Sequence, residues 1–415
     1  MGILDLAALV VTLAAVFAYL NHRFLRLPAA IGVMLLALAA SLGLLLAGTA
    51  VPPAAEWGHR VLARMHFSDT VLEGMLSFLL FAGALFVNLE DLARQKWLIA
   101  GLASIGVVTS TLLVAAGTWL VLGGLGVELT FLQCLLFGAL ISPTDPLAVL
   151  GILKSAGVPR SLETKIVGES LFNDGVAVVV FLVLLEAARH GAMPAGEVAT
   201  LFAREAVGGA AFGLALGGGA YALLRSLDNY QVEILITLAV VMGGYALAHA
   251  LHLSGPLAMV VAGLLLGNRG RVLAMSEHSR EHLDTFWELM DEMLNVVLFV
   301  LIGLEVLALS FGATDLLAGA LLIPVVLAAR LASVSLPVAL LKPLRNFSPG
   351  AVRILTWGGL RGGISVALAL SLPAGDARDL LLPATYVIVL FSLVVQGLTV
   401  GRVARRLAAS DGATP

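Results

Sequence analysis

The stretch Gly168-Glu169-Ser170-Leu171-Phe172-Asn173-Asp174-Gly175, running on into Val176-Ala177-Val178-Val179-Val180-Phe181-Leu182-Val183-Leu184-Leu185, decides the fold. It lies in an apolar run from Ser161 to Glu186, and about 20 such residues let a helix cross a bilayer. The run therefore reads as a transmembrane helix with Asp174 near mid-membrane. A charged side chain at that depth costs roughly 2.5–3.5 kcal/mol on insertion scales, so Asp174 needs a partner, a proton or a cation. Outside a membrane, Asn173-Asp174-Gly175 would read as a surface turn, a reading opposed by the long apolar flanks. Helical spacing sorts the polar residues into two stripes. Ser170 and Asp174, four apart, are expected to face an ion. Glu169 and Asn173 share the next stripe and are expected to face the scaffold, with Glu169 neutralising Arg330.

Of 415 residues, 60% are hydrophobic and 12% charged, against roughly 25% charged in a soluble domain. Apolar runs near residues 2–19, 28–50, 70–90, 97–123, 130–153, 161–186, 198–224, 231–252, 254–268, 292–310, 313–341, 351–373 and 380–401 make thirteen candidate spans, the one at 254–268 being short. The expected class is an all-α polytopic membrane protein. Its first run follows a single acidic residue without a basic leader or cleavage site, so no removed signal peptide is expected. Pro52-Pro53 and Glu56-Trp57-Gly58-His59-Arg60 read as an interfacial loop, with Trp57 at headgroup level. The single cysteine, Cys134, excludes an internal disulfide and reads as packing. The net charge of −3 identifies no partner, and nothing in the composition asks for nucleic acid.

Basic loops are retained on the cytoplasmic side. Lys and Arg in alternating loops divide 17 to 5, counting Lys165 with the loops, which puts the C-terminus in the cytoplasm and, with thirteen spans, the N-terminus outside. Two arginines belong to neither set. Arg330 lies inside Leu322–Leu341, and Arg361 inside Trp357-Gly358-Gly359-Leu360-Arg361-Gly362-Gly363-Ile364-Ser365. Either could snorkel from a helix end. At this depth buried arginines call instead for carboxylates, and Asp145, Glu169 and Asp174 stand at comparable depth.

A weak internal repeat fits this placement. Leu89-Glu90 closes the third run and Leu304-Glu305 the tenth, an offset of 215; Asp145 follows Glu90 by 55 positions and Arg361 follows Glu305 by 56. The expected organisation is a six-helix repeat over 1–197, a linker helix over 198–224 and an inverted six-helix repeat over 225–415. The glycines of 208–219 would permit close packing of the linker. Two interrupted spans, Ile141-Ser142-Pro143-Thr144-Asp145-Pro146 and Gly358–Gly363, then occupy equivalent places, and transporters bind substrate where such broken helices meet. Pro143 and Pro146 remove helical donors and disfavour helix at Ser142 and Asp145, so the backbone should unwind around Thr144 and expose carbonyls as cation ligands. A simple kink with Asp145 facing a loop is the competing reading. Asp174, Asp145, Asn173, Ser170 and the Thr144 carbonyl form an oxygen set suited to a hard cation.

Four motifs together, Gly168–Asp174, Ser142–Pro146, Phe299-Val300-Leu301-Ile302-Gly303-Leu304-Glu305 and Gly358–Gly363, resemble the first subfamily of monovalent cation/proton antiporters, the bacterial sodium/proton antiporters related to animal sodium/proton exchangers. The resemblance covers nearly the whole chain, in order. It implies a multi-pass protein of the cell membrane with thirteen spans in two inverted repeats, and a homodimer with a dimerisation part and a six-helix core moving as an elevator. It implies Asp174 as the carboxylate binding ion and proton, Ser170 as a ligand beside it, and Asp145 and Thr144 as the broken-helix side. It also implies Glu169 with Arg330 as an internal ion bridge and Arg361 as the arginine of the second broken helix. No cofactor is implied, only transported Na⁺, or Li⁺ or K⁺, and H⁺. The chain ends near Pro415, so the long regulatory tail of animal exchangers is not expected.

A buried carboxylate disfavours the bare anion, so Asp174 would hold a proton or a cation and reorient only when neutralised, which makes exchange obligatory. A cation channel would not need one carboxylate shared by two ligands. An intramembrane enzyme lacks support, with neither His-Glu-x-x-His nor Gly-x-Ser-x-Gly present.

Overall fold

The computed structural model describes residues 3–50, 74–145, 160–190, 194–309, 311–341 and 350–411. The loop around Trp57, together with Pro146 and Lys154, lies outside the described residues. Among the described residues, each of the thirteen apolar runs contains helix. The first three are α1 (Ile3–Leu20), α2 (Ala29–Ala50) and α3 (Leu76–Leu85). A long α4 runs over Leu89–Gly101 and, through one π-helical turn, Val107–Gly124; α5 (Phe131–Ile141) and α6 (Arg160–His190) follow. Next come α7 (Ala195–Ala203, continued over Gly209–Leu224), α8 (Tyr230–Ala250), α9 (Gly255–Leu265), α10 (Glu277–Glu305) and α11 (Ala313–Leu341). The twelfth run is broken into α12 (Ala351–Trp357) and α13 (Gly363–Leu370), and α14 covers Asp376–Phe391 and, past a π turn, Gly397–Asp411. Among the described residues, eight helices are long and apolar enough to cross a membrane. Among the described residues the only extended pairing is one antiparallel bridge, Asp145 with Leu360.

Caps explain where several helices begin. Thr130 and Gln133 form a capping box on α5, and the side chains of Asn229, Ser254 and Ser276 accept the first free N–H groups of α8, α9 and α10. Asn88 does the same for α4 by accepting from Glu90 N and Asp91 N. This corrects one sequence expectation. Glu90 does not close the third span; it sits exposed in the first turn of α4, where the helix dipole favours carboxylates, whereas Glu305 ends α10 and is buried. The two glutamates are therefore not equivalent.

Helix α10 starts at Glu277, well before the apolar run at 292. Its first half is amphipathic, so hydropathy alone misses it. Leu283 and Trp287 are buried there, with the Trp287 indole donating to Thr237 Oγ1 at 3.0 Å and its ring 4.8 Å from Phe81. Lys165, counted with the loops, lies inside α6 and is buried. Helix α9 is short only as an apolar run: through a π-helical turn over Leu266–Gly270 it continues to Leu273, and its residues from Gly255 to Val260 are all buried. Along α7, Gly209, Gly213 and Gly217 lie directly on Ser254, Ala258 and Ala262 of α9, an approach that side chains would block.

Packing groups the helices differently from chain order. Helices α4, α5, α6, α11, α12, α13 and α14 pack on one another, as do α1, α2, α3, α7, α8, α9 and α10. Contacts between the groups run mainly through α6 on α7 and α9, and α10 on α13. The first group spans six apolar runs and carries both broken segments together with α6.

Candidate functional site

Helix α5 stops at Ile141 and Ser142 to Asp145 are non-helical, as Pro143 requires. Across from it, α12 stops at Trp357 and the chain is non-helical until α13 starts at Gly363. The two segments cross, with Asp145 N donating to Leu360 O at 2.8 Å. The crossing needs glycine on both sides. A Cβ on Gly362 would stand 2.8 Å from Asp145 Cβ, and one on Gly359 would stand 3.0 Å from Arg330 Cζ. Helix α14 secures the second break: Gln396 Nε2 donates to Trp357 O at 3.1 Å, and Ser392 Oγ accepts from Arg361 N at 2.9 Å.

Interrupted helices leave carbonyls unpaired, and at the first break a guanidinium takes them. Arg361 Nη1 donates to Ser142 O at 2.5 Å and to Pro143 O at 2.8 Å, with Arg361 only 2% exposed. Its direct partners are thus backbone oxygens at the negative end of α5, not the carboxylate expected from depth alone. These two carbonyls are occupied by Arg361 rather than left open for a transported cation. Arg330 is the arginine that meets a carboxylate, its Nη1 pairing with Glu169 Oε1 while Nη2 donates to Leu355 O at 3.1 Å. A small cavity beside it is lined by Arg330, Arg361, Gly359 and Gln396.

Thr144 joins the first break to α6. Its hydroxyl lies 3.0 Å from Ser170 Oγ and accepts from Asn173 Nδ2 at 2.8 Å, and its N–H donates to Asn173 Oδ1 at 3.4 Å. Asn173 therefore faces the unwound segment rather than the scaffold, which corrects the division into two stripes. The break is wide enough to meet α6 over more than one helical row, so Ser170 and Asn173 converge on the same residue. All three are buried.

Asp174 follows on the next turn, 6% exposed, with Oδ1 lacking any hydrogen-bond partner. Asp145 and Arg361 both act on it electrostatically. One carboxylate oxygen is thus held at a crossing of broken helices with no fixed donor. That is the geometry of a group waiting for a mobile proton or cation. Two further groups, Asp291 and Asn295 of α10, have buried side-chain oxygens without partners, and Asp145 acts on Asp291. Sequence reading passed over both because they precede or open the apolar run. Their four-residue spacing was the available signal.

The family model described as sodium/hydrogen exchanger, transmembrane, matches residues 11–406. The Na⁺/H⁺ antiporter NhaP of Pseudomonas aeruginosa is 49% identical over 421 residues, covering 98% of each chain. The Na⁺/H⁺ antiporter NhaH of Halobacillus aidingensis is 36% identical over 412 residues, covering 98% of this chain and 97% of its own. The structure of the sodium proton antiporter MjNhaP1 from Methanocaldococcus jannaschii at pH 8 superposes with a TM-score of 0.75 at 20% identity, over 96% of this chain and 97% of that one, and shows a shared fold. With a family match over nearly its full length and two crossing broken helices at the site, this chain belongs to the transmembrane sodium/hydrogen exchanger family.

Proposed function

We propose that this protein is a secondary active antiporter exchanging Na⁺ for H⁺ at Asp174 by alternating access. The observation that carries the reading is the unpartnered, buried Asp174 Oδ1 beside Asp145 at the crossing of two broken helices. The names of the curated relatives, Na⁺/H⁺ antiporters, agree with it.

In this cycle a proton or a cation neutralises Asp174, and only the neutralised site reorients, because moving the bare anion through an apolar barrier is costly. Thr144, Ser170 and Asn173 fix the wall of the site through their mutual bonds, and Asp145 supplies a second carboxylate. The Glu169–Arg330 pair holds α11 to α6 so that the core moves as one body. Helices α4, α5, α6 and α11 to α14 form the moving core. The other helices form the scaffold, which we propose dimerises with a second copy in the lipid of the cell (inner) membrane. The excess of Lys and Arg in one set of loops supports a cytoplasmic C-terminus and an external N-terminus. Exchange of one cation for one proton makes the cycle electroneutral and lets it set intracellular pH and sodium.

The test is purified protein in proteoliposomes with an internal pH dye, challenged with Na⁺, Li⁺ and K⁺. Na⁺-dependent proton movement that saturates is expected. A response to K⁺ alone makes it a K⁺/H⁺ antiporter of the same fold, and a non-saturating flux without proton movement replaces antiport with a channel.

A further inference from the structure

One face of α10 carries a file of residues that each hold one buried side-chain oxygen without a hydrogen-bond partner. Asp284, Asp291 and Asn295 are spaced by seven and four residues and so share one stripe of the helix. Each has a buried oxygen without a partner: Asp284 Oδ1, Asp291 Oδ1 and Asn295 Oδ1. At the N-terminal end of the file, Asp284 is held by Arg271 through its other oxygen. Burial there pushes its carboxyl above the usual range, against the opposing pull of Arg271. Further in, Asn295 Nδ2 donates to Asp291 O at 2.8 Å. That bond uses the amide's N–H end and turns its oxygen outward as a pure acceptor. Asp145 reaches Asp291 electrostatically, and through Asp145 the file meets Asp174, whose Oδ1 is likewise unpartnered in a residue 6% exposed.

Each residue of the file keeps one buried oxygen unpartnered, capacity that a closed structural network would have filled with an N–H or O–H group. Such oxygens suit a cation shedding its water. Because α10 packs with the scaffold and Asp145 belongs to the other helix group, the file and the exchange site stand on opposite sides of the boundary between the groups.

We propose that Asp291 and Asn295 are specificity-determining residues on the cytoplasmic access route, where a partly dehydrated monovalent cation pauses before passing to Asp145 and Asp174. This rests on the antiport reading above. The cytoplasmic side follows from Arg269 and Arg271, basic residues on the helical end that precedes α10. The residues act by lowering the free energy of a cation next to the site, not by exchanging the proton.

The test uses full-length protein in vesicles of known orientation, comparing wild type with Asp291→Asn, Asp291→Glu and Asn295→Ala. For Na⁺ supplied at the cytoplasmic face, Asp291→Asn is expected to raise KM about tenfold, the effect of one charge near a partly solvated path, with the maximal rate within about twofold. Asn295→Ala raises KM less and narrows the preference for Na⁺ over K⁺, and Asp291→Glu restores the wild-type KM. For Na⁺ supplied from the outer face, KM stays unchanged. An unchanged cytoplasmic KM in both Asp291→Asn and Asn295→Ala overturns the proposal, as does an equal rise on both faces. If Asp291→Asn does not fold, Asn295→Ala and Asp291→Glu decide on the same readouts. Absence of exchange in the wild type would instead refute the antiport reading.

Discussion

Glu169 and Asp174 lie five residues apart on α6, both buried, and their surroundings are opposite. Glu169 meets a guanidinium that is itself held by the Leu355 carbonyl. Asp174 meets no fixed donor at Oδ1, and its two charged neighbours, Asp145 and Arg361, act on it in opposite directions. The first carboxylate has its countercharge built into the protein. The second must borrow one from solution. A single helix thus carries a built-in charge pair and an open charge, the one proposed for transport, and the difference lies in what the neighbouring helices present.

The most drastic way to break the comparison is Asp174→Asn, which removes the open charge while keeping the side chain's shape. Exchange in vesicles is expected to fall to background while size-exclusion behaviour and melting stay close to wild type. Measurable Na⁺/H⁺ exchange by that variant would move the exchanging group elsewhere.

The paired carboxylate should behave in the reverse sense. Glu169→Gln or Arg330→Met alone leaves an uncompensated buried charge, with an expected loss of about 3–5 kcal/mol, and the double variant loses less than the sum of the two. Thermal unfolding in detergent, read as a double-mutant cycle, checks this. Strict additivity would mean that the pair does not interact in the membrane.

Gly362→Ala probes the crossing that brings the charges together. Its new methyl would press on Asp145, at an expected cost of about 1–3 kcal/mol and a reduced turnover. A variant with wild-type melting and transport would show that the crossing has slack.

The smallest expected effect is on voltage. With only Asp174 changing its occupant, exchange driven by a pH gradient should be insensitive to a valinomycin-set K⁺ diffusion potential, provided that K⁺ is first shown not to be carried. A clear voltage dependence, with proton leak controlled, would show that a second carboxylate titrates during the cycle, and Asp145 would be the first to test.

Much of this was written in the chain. Apolar length located the spans, Pro143 placed the first break, and charge at depth singled out Asp174, Glu169, Arg330 and Arg361, because desolvation of a charge is costly wherever the helix sits. Direction and partnership were not. Whether Asn173 faced the site or the scaffold depended on the width of the unwound segment opposite, and whether Arg361 took a carboxylate or the Ser142 and Pro143 carbonyls depended on where α5 ended in space. The amphipathic start of α10, which leads up to Asp291, escaped hydropathy because its exposed charges, such as Glu281 and Glu288, offset the buried Leu283 and Trp287 in the average. A sequence fixes how much each residue costs to bury. The tertiary structure decides which partner offsets that cost, because partners distant in the chain meet only once the helices have packed.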